Sequence, residues 1–280
     1  MMNSASIKNS IHHISIKTGV NPNIILRHII FDFFLEKLEK SRYRKHYVIK
    51  GGFLISSLIN IDHRTTMDLD LTAVSLMLTK DNLYLSIIEI IGIETKQDLS
   101  MNLIDIEEIR ENDQYPGFRV TILVLFDGLK ERIKIDITTG DIVTPKPIMY
   151  HYKTILEQNT LKLHSYNLES IISEKIETIV SRGILNTRMR DFYDVFTVWK
   201  LMKNDIVLDT LTIAFENTCV YRNNKKFKLD EVLHILDMIE MDQKFLKQWD
   251  IYRSNNEYAR SVDFVEAIST IKEICTIIVK

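Results

Sequence analysis

The sequence predicts a chain in two parts: an α/β N-terminal domain, with a mixed sheet flanked by helices, followed by an all-helical C-terminal domain. Three observations lead there. The first half mixes helical stretches with period-two runs at Thr66 to Thr72, Phe118 to Phe126 and Arg132 to Thr138. Pro145-Lys146-Pro147 is a stiff break near the middle of the 280 residues. Beyond it, apolar residues recur almost wholly at helical spacing. The boundary is therefore drawn between residues 147 and 148, giving domains 1–147 and 148–280.

The elements follow in order. Asn21 is an N-cap candidate and Pro22 suits a first helical position, so a helix runs from Asn21 to Lys40 with Ile25, Ile29, Phe33 and Phe34 inward. A second helix begins after Lys50-Gly51-Gly52 and carries Phe53, Leu54, Ser57 and Leu58 on one stripe. In Thr66 to Thr72, Met67, Leu69 and Leu71 alternate with Asp68 and Asp70, which predicts a strand with one apolar and one acidic face. Thr79 to Ile91 reads as a capped helix. Asp127-Gly128 is a hairpin turn between the next two strands, the second with Ile133, Ile135 and Ile137 on one face and Asp136 on the other. Five helices are expected after the break, at Asn167–Ser181, Thr187–Lys203, Leu208–Thr218, Leu229–Gln248 and Glu257–Ile278.

Composition removes several classes. Only 8 Gly and 4 Pro exclude collagenous and low-complexity chains and argue against a turn-rich sandwich. With 36 basic and 38 acidic residues the net charge is −2, which excludes a globally basic nucleic-acid coat but not a local patch. Cys219 and Cys275 have no partner at metal or redox spacing and read as buried thiols of a reducing compartment. The first ten residues lack a signal-peptide core, and Ile268 to Val279 is interrupted by Lys272 and Glu273, so no membrane span is expected. A cytoplasmic chain is expected.

Chemistry is concentrated in three aspartates. Asp68 and Asp70, at i and i+2 on a strand, leave the same face about 6.5–7 Å apart. Such like charges repel unless a cation lies between them, and Mg²⁺ favours carboxylate together with phosphate oxygens. Asp136, on the polar face of another strand, could supply a third ligand, enough for a two-metal site. Taken alone, an Asp-x-Asp pair is most simply a solvated polar face. Gly51-Gly52 changes that balance, because paired glycines before a helix let backbone N–H groups approach a phosphate. Arg188 with Asp191, and Arg190 with Asp194, have the spacing of helix-surface ion pairs. The histidines at 12, 13, 151 and 164 lack ligand spacing, Trp199 and Trp249 read as core, and Arg222 to Lys228 is a basic loop, most simply solvated, with RNA contact as the alternative.

These residues together resemble the nucleotidyltransferase superfamily typified by DNA polymerase beta and kanamycin nucleotidyltransferase. The closer resemblance is to its AbiEii/AbiGii toxin branch, from abortive-infection and type IV toxin–antitoxin systems. It rests on Lys50-Gly51-Gly52, His63 to Asp70, Ile133 to Asp136, Ser173-Glu174-Lys175 and Asn186 to Asp194, and spans roughly Val48 to Lys203. In one departure, Phe53 follows the glycines where the superfamily often has Ser, so no hydroxyl is available there to a phosphate.

The resemblance implies a toxin with antiviral, abortive-infection activity that moves nucleotides from an NTP to an RNA acceptor, a tRNA 3′ end. Two Mg²⁺ ions would be held by Asp68, Asp70 and Asp136. Lys50, Gly51, Gly52, Arg64, Lys175 and Arg190 would hold the nucleotide, Asp191 or Asp194 would take a proton, and the helical domain would complete the NTP cleft. It also implies a cognate antitoxin that is a transcriptional repressor and need not bind the toxin. Lys175 has no ion-pair partner in its own turn, so Lys175→Ala is expected to leave the fold intact. The competing readings are a nucleotide-binding regulator without turnover, and a nucleotidyltransferase with a protein or small-molecule acceptor.

Overall fold

In the computed structural model, residues 4–97, 99–109, 117–156 and 159–279 are described. The chain forms two compact units. The first comprises Met1–Asp141 and Pro147–Ser165, and the second comprises Ile142–Lys146 and Tyr166–Lys280.

The first unit begins with two helices, α1 (Ser4–Thr18) and α2 (Pro22–Lys40). Asn21 caps α2 by accepting from the Asn23 N–H, and Pro22 takes the first position, where a missing N–H does no harm. Then come β1 (Tyr47–Lys50), α3 (Gly51–Ile59), β2 (Leu69–Ala73), α4 (Lys80–Ile91), β3 (Leu99–Glu108), β4 (Gly117–Phe126), β5 (Leu129–Thr138), β6 (Ile148–Lys153) and β7 (Thr160–Ser165). The strands make one mixed sheet in the order β3-β4-β5-β2-β1-β7-β6. Asp127 and Gly128 both have positive φ, 42° and 78°, so the β4–β5 connection is a tight hairpin turn as the Asp-Gly pair predicts. Ile133, Ile135 and Ile137 are completely buried, which confirms the alternation read in β5. Ile25, Ile29, Phe33 and Phe34 of α2 belong to the same unit's core.

Several expectations need correction. The chain does not become helical at Pro147, because β6 and β7 follow it and add an antiparallel pair to the sheet. β7 lies parallel to β1, so the division falls after Ser165 rather than after residue 147. β2 starts at Leu69, leaving Asp68 just outside the strand and Met67 exposed rather than on the apolar face. α1 and β3 have no counterpart in the sequence reading.

The second unit is helical: α5 (Leu168–Arg182), α6 (Met189–Met202), α7 (Leu208–Asn223), α8 (Leu229–Met241), α9 (Gln243–Asn255) and α10 (Phe264–Ile278). Asn167 caps α5 through the Ser170 N–H and also donates to the Thr144 carbonyl, which fixes the strand-to-helix connection to α5. The single helix expected over Leu229–Gln248 is two, parted at Asp242, which caps α9. The last helix starts at Phe264 behind its own cap, Asp263. Trp199, Trp249, Cys219 and Cys275 are all buried, and burial pushes both thiols up to about 12. Among the described residues no helix is long and apolar enough to cross a membrane.

Candidate active site

The registers of β1, β2, β5 and β4 place four charged residues in one row across the first unit's sheet. Lys50 is the Cα partner of Asp70 in the antiparallel β1–β2 pair. Asp70 is the partner of Asp136 in the parallel β2–β5 pair, and Asp136 is the partner of Arg119 in the antiparallel β5–β4 pair. Two carboxylates thus stand on neighbouring strands, which run about 4.8 Å apart, with a cation at each end of the row.

The glycine pair is shaped to this row. Gly51 has φ +66°, and a Cβ placed there would lie 2.1 Å from Oδ2 of Asp70. Glycine is thus required twice, for a backbone angle that side chains disfavour and for the space the carboxylate fills. At Gly52 a Cβ would sit 3.0 Å from an Arg64 guanidinium nitrogen. Arg64 is buried at the first turn of α3, where it donates to the Thr65 carbonyl. A buried guanidinium beside the positive end of a helix makes an electropositive corner suited to an anion. His28 fixes the approach to Asp68: its Nε2 lies 3.2 Å from the Thr66 carbonyl, and its ring stacks on Phe53. Burial lowers His28 to about 4, with the Arg64 charge adding to the effect against the Thr66 hydrogen bond.

The two cations of the row are already engaged. Lys50 is buried and ion-paired with Asp141, whose Oδ2 also accepts from the Thr138 hydroxyl at 3.1 Å. Lys50, expected to hold the nucleotide, is thus ion-paired with Asp141 in this structure. Arg119 grips Asp136 with both arms, Nε to Oδ1 and Nη2 to Oδ2, each at 2.8 Å. These hydrogen bonds raise the guanidinium above its ordinary value, burial works against them, and the charges of Asp136, Asp68 and Glu107 add to the rise. Asp68 is thus close enough to act on Arg119. Sequence reasoning missed both Arg119 and Asp141. The pairing of β4 with β5 would have found the first, and nothing local marks the second.

The donor set suits a hard divalent cation, since Asp68, Asp70 and Asp136 offer only carboxylate oxygens. Among the described residues, however, no three His, Cys, Asp or Glu side chains are gathered so as to hold a metal. Both Asp136 oxygens accept from Arg119.

In the helical unit, Lys175 of α5 reaches two carboxylates of α6, Asp191 Oδ1 at 2.9 Å and Asp194 Oδ2 at 2.7 Å. Both aspartates are fully buried. Burial alone would lower the Lys175 ammonium, but the charges and hydrogen bonds of the two aspartates prevail and raise it. Lys175 is therefore no open point charge, although it has no partner within its own turn, as expected. Its partners lie on the next helix, beyond the reach of spacing rules within one helix. The pairing expected between Arg188 and Asp191 is present, with Nε 2.7 Å from Oδ2 and Nη2 donating to Oδ1 at 3.5 Å. Asp194, expected opposite Arg190, pairs instead with Lys175, and Arg190 stays exposed. Arg190 lines a pocket of about 480 Å³ together with Arg188, Gln248 and Tyr252. The basic loop is largely neutralised: Arg222 meets Glu174 and Glu177, Lys225 meets Glu231, and Lys226 meets Glu216.

The family model "Nucleotidyl transferase AbiEii toxin, Type IV TA system" matches residues 34–269. No curated protein is a match in sequence. Among solved structures, JHP933 from Helicobacter pylori superposes with a TM-score of 0.53 at 15% identity, covering 92% of this chain and 93% of that one. An antigenic nucleotidyltransferase-like protein from Paracoccidioides brasiliensis gives 0.40 at 16% identity, over 75% of this chain and 92% of that one. The first likeness shows a shared fold, and the second carries no argument.

Proposed function

Because the chain belongs to the AbiEii nucleotidyltransferase toxin family of type IV toxin–antitoxin systems, we propose that it transfers nucleotides from an NTP to an RNA acceptor, a tRNA 3′ end, as the toxin of an abortive-infection system. Its partner would be an antitoxin that represses transcription and need not bind the toxin. The observation that carries the reading is the register of Asp70 beside Asp136, with Gly51 left bare to admit the Asp70 carboxylate.

In the proposed reaction an acceptor hydroxyl oxygen bonds to the α-phosphorus, the bond to the bridging oxygen breaks, and pyrophosphate leaves. Asp68, Asp70 and Asp136 would hold two Mg²⁺ ions, which when bound neutralise phosphate charge as it shifts towards the leaving group. The N–H groups at the start of α3 and the Arg64 guanidinium supply fixed positive potential for phosphate oxygens, already oriented before the reaction. Thr66 and His28 fix the turn that presents Asp68. In the helical unit, Lys175 bridges the carboxylates of Asp191 and Asp194. Arg190, exposed on α6, is suited to phosphate.

The test is incubation of the full chain with each labelled NTP, Mg²⁺ and total RNA. Label on small RNA with one NTP is expected, and its loss in Asp70→Asn. Label on protein instead would make protein the acceptor. No transfer to any acceptor, with NTP still bound, would favour a regulator without turnover.

A further inference from the structure

The row Lys50–Asp70–Asp136–Arg119 is electrically closed at both ends, and the two closures differ. Lys50 is buried and ion-paired with Asp141, and the Asp70 carboxylate lies against Gly51. Arg119 spends its charge on Asp136 itself. Its two parallel bonds, both 2.8 Å, engage both carboxylate oxygens of the third proposed ligand. The Arg119 side chain is one-third exposed and that of Asp136 about one-fifth, so the pair lies at a solvent boundary where it can open. The field of Asp68 also falls on the same guanidinium.

We infer that Arg119 is a positioning residue that competes with divalent cations for Asp136, keeping the acidic row closed to the free ion. The inference rests on the metal reading of Asp68, Asp70 and Asp136. A guanidinium and a divalent cation need the same oxygens, and a unit positive charge a few ångströms from the ion opposes its entry. Loading the row therefore requires the Arg119–Asp136 pair to part. Binding of a metal ion then carries the energy of breaking that pair, and the affinity of the site falls accordingly.

The experiment uses the full chain and Mn²⁺ alone, without nucleotide, followed by calorimetry and by the loss of the free-ion electron-spin signal. Arg119→Gln is expected to bind Mn²⁺ roughly tenfold more tightly than wild type, because a competing charge is gone. Arg119→Lys, which keeps the charge but cannot grip both oxygens, is expected in between and also serves should the glutamine variant fold poorly. Asp70→Asn should abolish binding in either background. Equal or weaker Mn²⁺ affinity in both Arg119 variants, with binding still dependent on Asp70, overturns the role of Arg119 and leaves the metal reading standing. Absence of Asp70-dependent Mn²⁺ binding in every form, at millimolar ion, overturns the metal reading and this inference with it. A purely structural ion pair would change melting temperature alone and leave the affinities equal.

Discussion

The carboxylate of Asp70 fills the space in front of Gly51, so that a Cβ on residue 51 would lie 2.1 Å from it. The strand that carries the acid and the helix start that faces it are therefore mutually exclusive with any side chain at this position. Gly51→Ala combines left-handed strain, about 1–2 kcal/mol, with a steric clash of about 1–3 kcal/mol. A destabilisation of roughly 2–5 kcal/mol is expected in a denaturant titration. A change no larger than an ordinary surface substitution would mean that Asp70 turns aside freely, and the shaped contact would then have no consequence.

This contact explains why so much of the acidic site was readable. Period-two alternation puts Asp70 and Asp136 on the polar faces of their strands, and a glycine pair before a helix is visible as letters. Their adjacency was not visible, since it depends on β2 pairing with β5 across 66 residues. Arg119 stayed hidden for the same reason, its partner being fixed by a cross-strand register. Lys175 was misread because its carboxylates are 16 and 19 positions ahead on another helix. β6 and β7 escaped notice because each is only six residues long and follows a proline that looked like an ending. α1 was missed although Ile7, Ile11 and Ile14 recur at helical spacing, because the residues around them are mostly polar.

Removing either of the first two acids separates function from folding. Asp68 and Asp70 are only half-buried, so Asp68→Ala or Asp70→Ala opens no apolar cavity. Melting temperatures should stay within a few degrees of wild type, while growth after induced expression should be restored. Undiminished toxicity in both soluble variants would remove the acidic row from the mechanism.

Two buried groups give the stability a pH dependence of opposite signs. Asp32, raised to about 7 by burial against the hydrogen bonds from Tyr152 and the Ile155 N–H, holds a proton more tightly when folded. Its contribution is complete below the ordinary value of 3.8 and is lost as pH rises through about 7. His28, lowered to about 4, contributes above its ordinary 6.5, and that contribution is lost as pH falls through about 4. Between about 4 and 6.5 the two slopes oppose one another, so the wild-type profile there is flatter than either alone. Asp32→Asn mimics the protonated acid, with its amide facing Tyr152 and its carbonyl facing the Ile155 N–H. The variant should become more stable as pH rises from 4 to 6.5, and should lose less than wild type between pH 6.5 and 8. Melting curves across that range check it, and parallel profiles for the two proteins would show that Asp32 does not titrate there.

The trio of Lys175, Asp191 and Asp194 reverses the expectation that Lys175→Ala leaves the fold intact. With the ammonium in place, two fully buried carboxylates share one cation at 2.9 and 2.7 Å, and Arg188 lies 2.7 Å from the outer oxygen of Asp191. Without it, two like charges remain in a site whose aspartates are at most 1% exposed. Breaking a buried pair from one side typically costs about 3–5 kcal/mol, a large share of the stability of an ordinary domain. Lys175→Ala should therefore melt far below wild type, whereas Lys175→Met in an Asp191→Asn, Asp194→Asn background should recover most of the loss. Recovery arises because the amides no longer need a counter-charge, and the methionine refills the volume of the lysine stem. If the triple variant folds but no longer moves label from NTP, the trio serves the reaction as well as the fold. If it folds and stays active, Lys175 is an internal tie and the chemistry belongs to the acidic row alone.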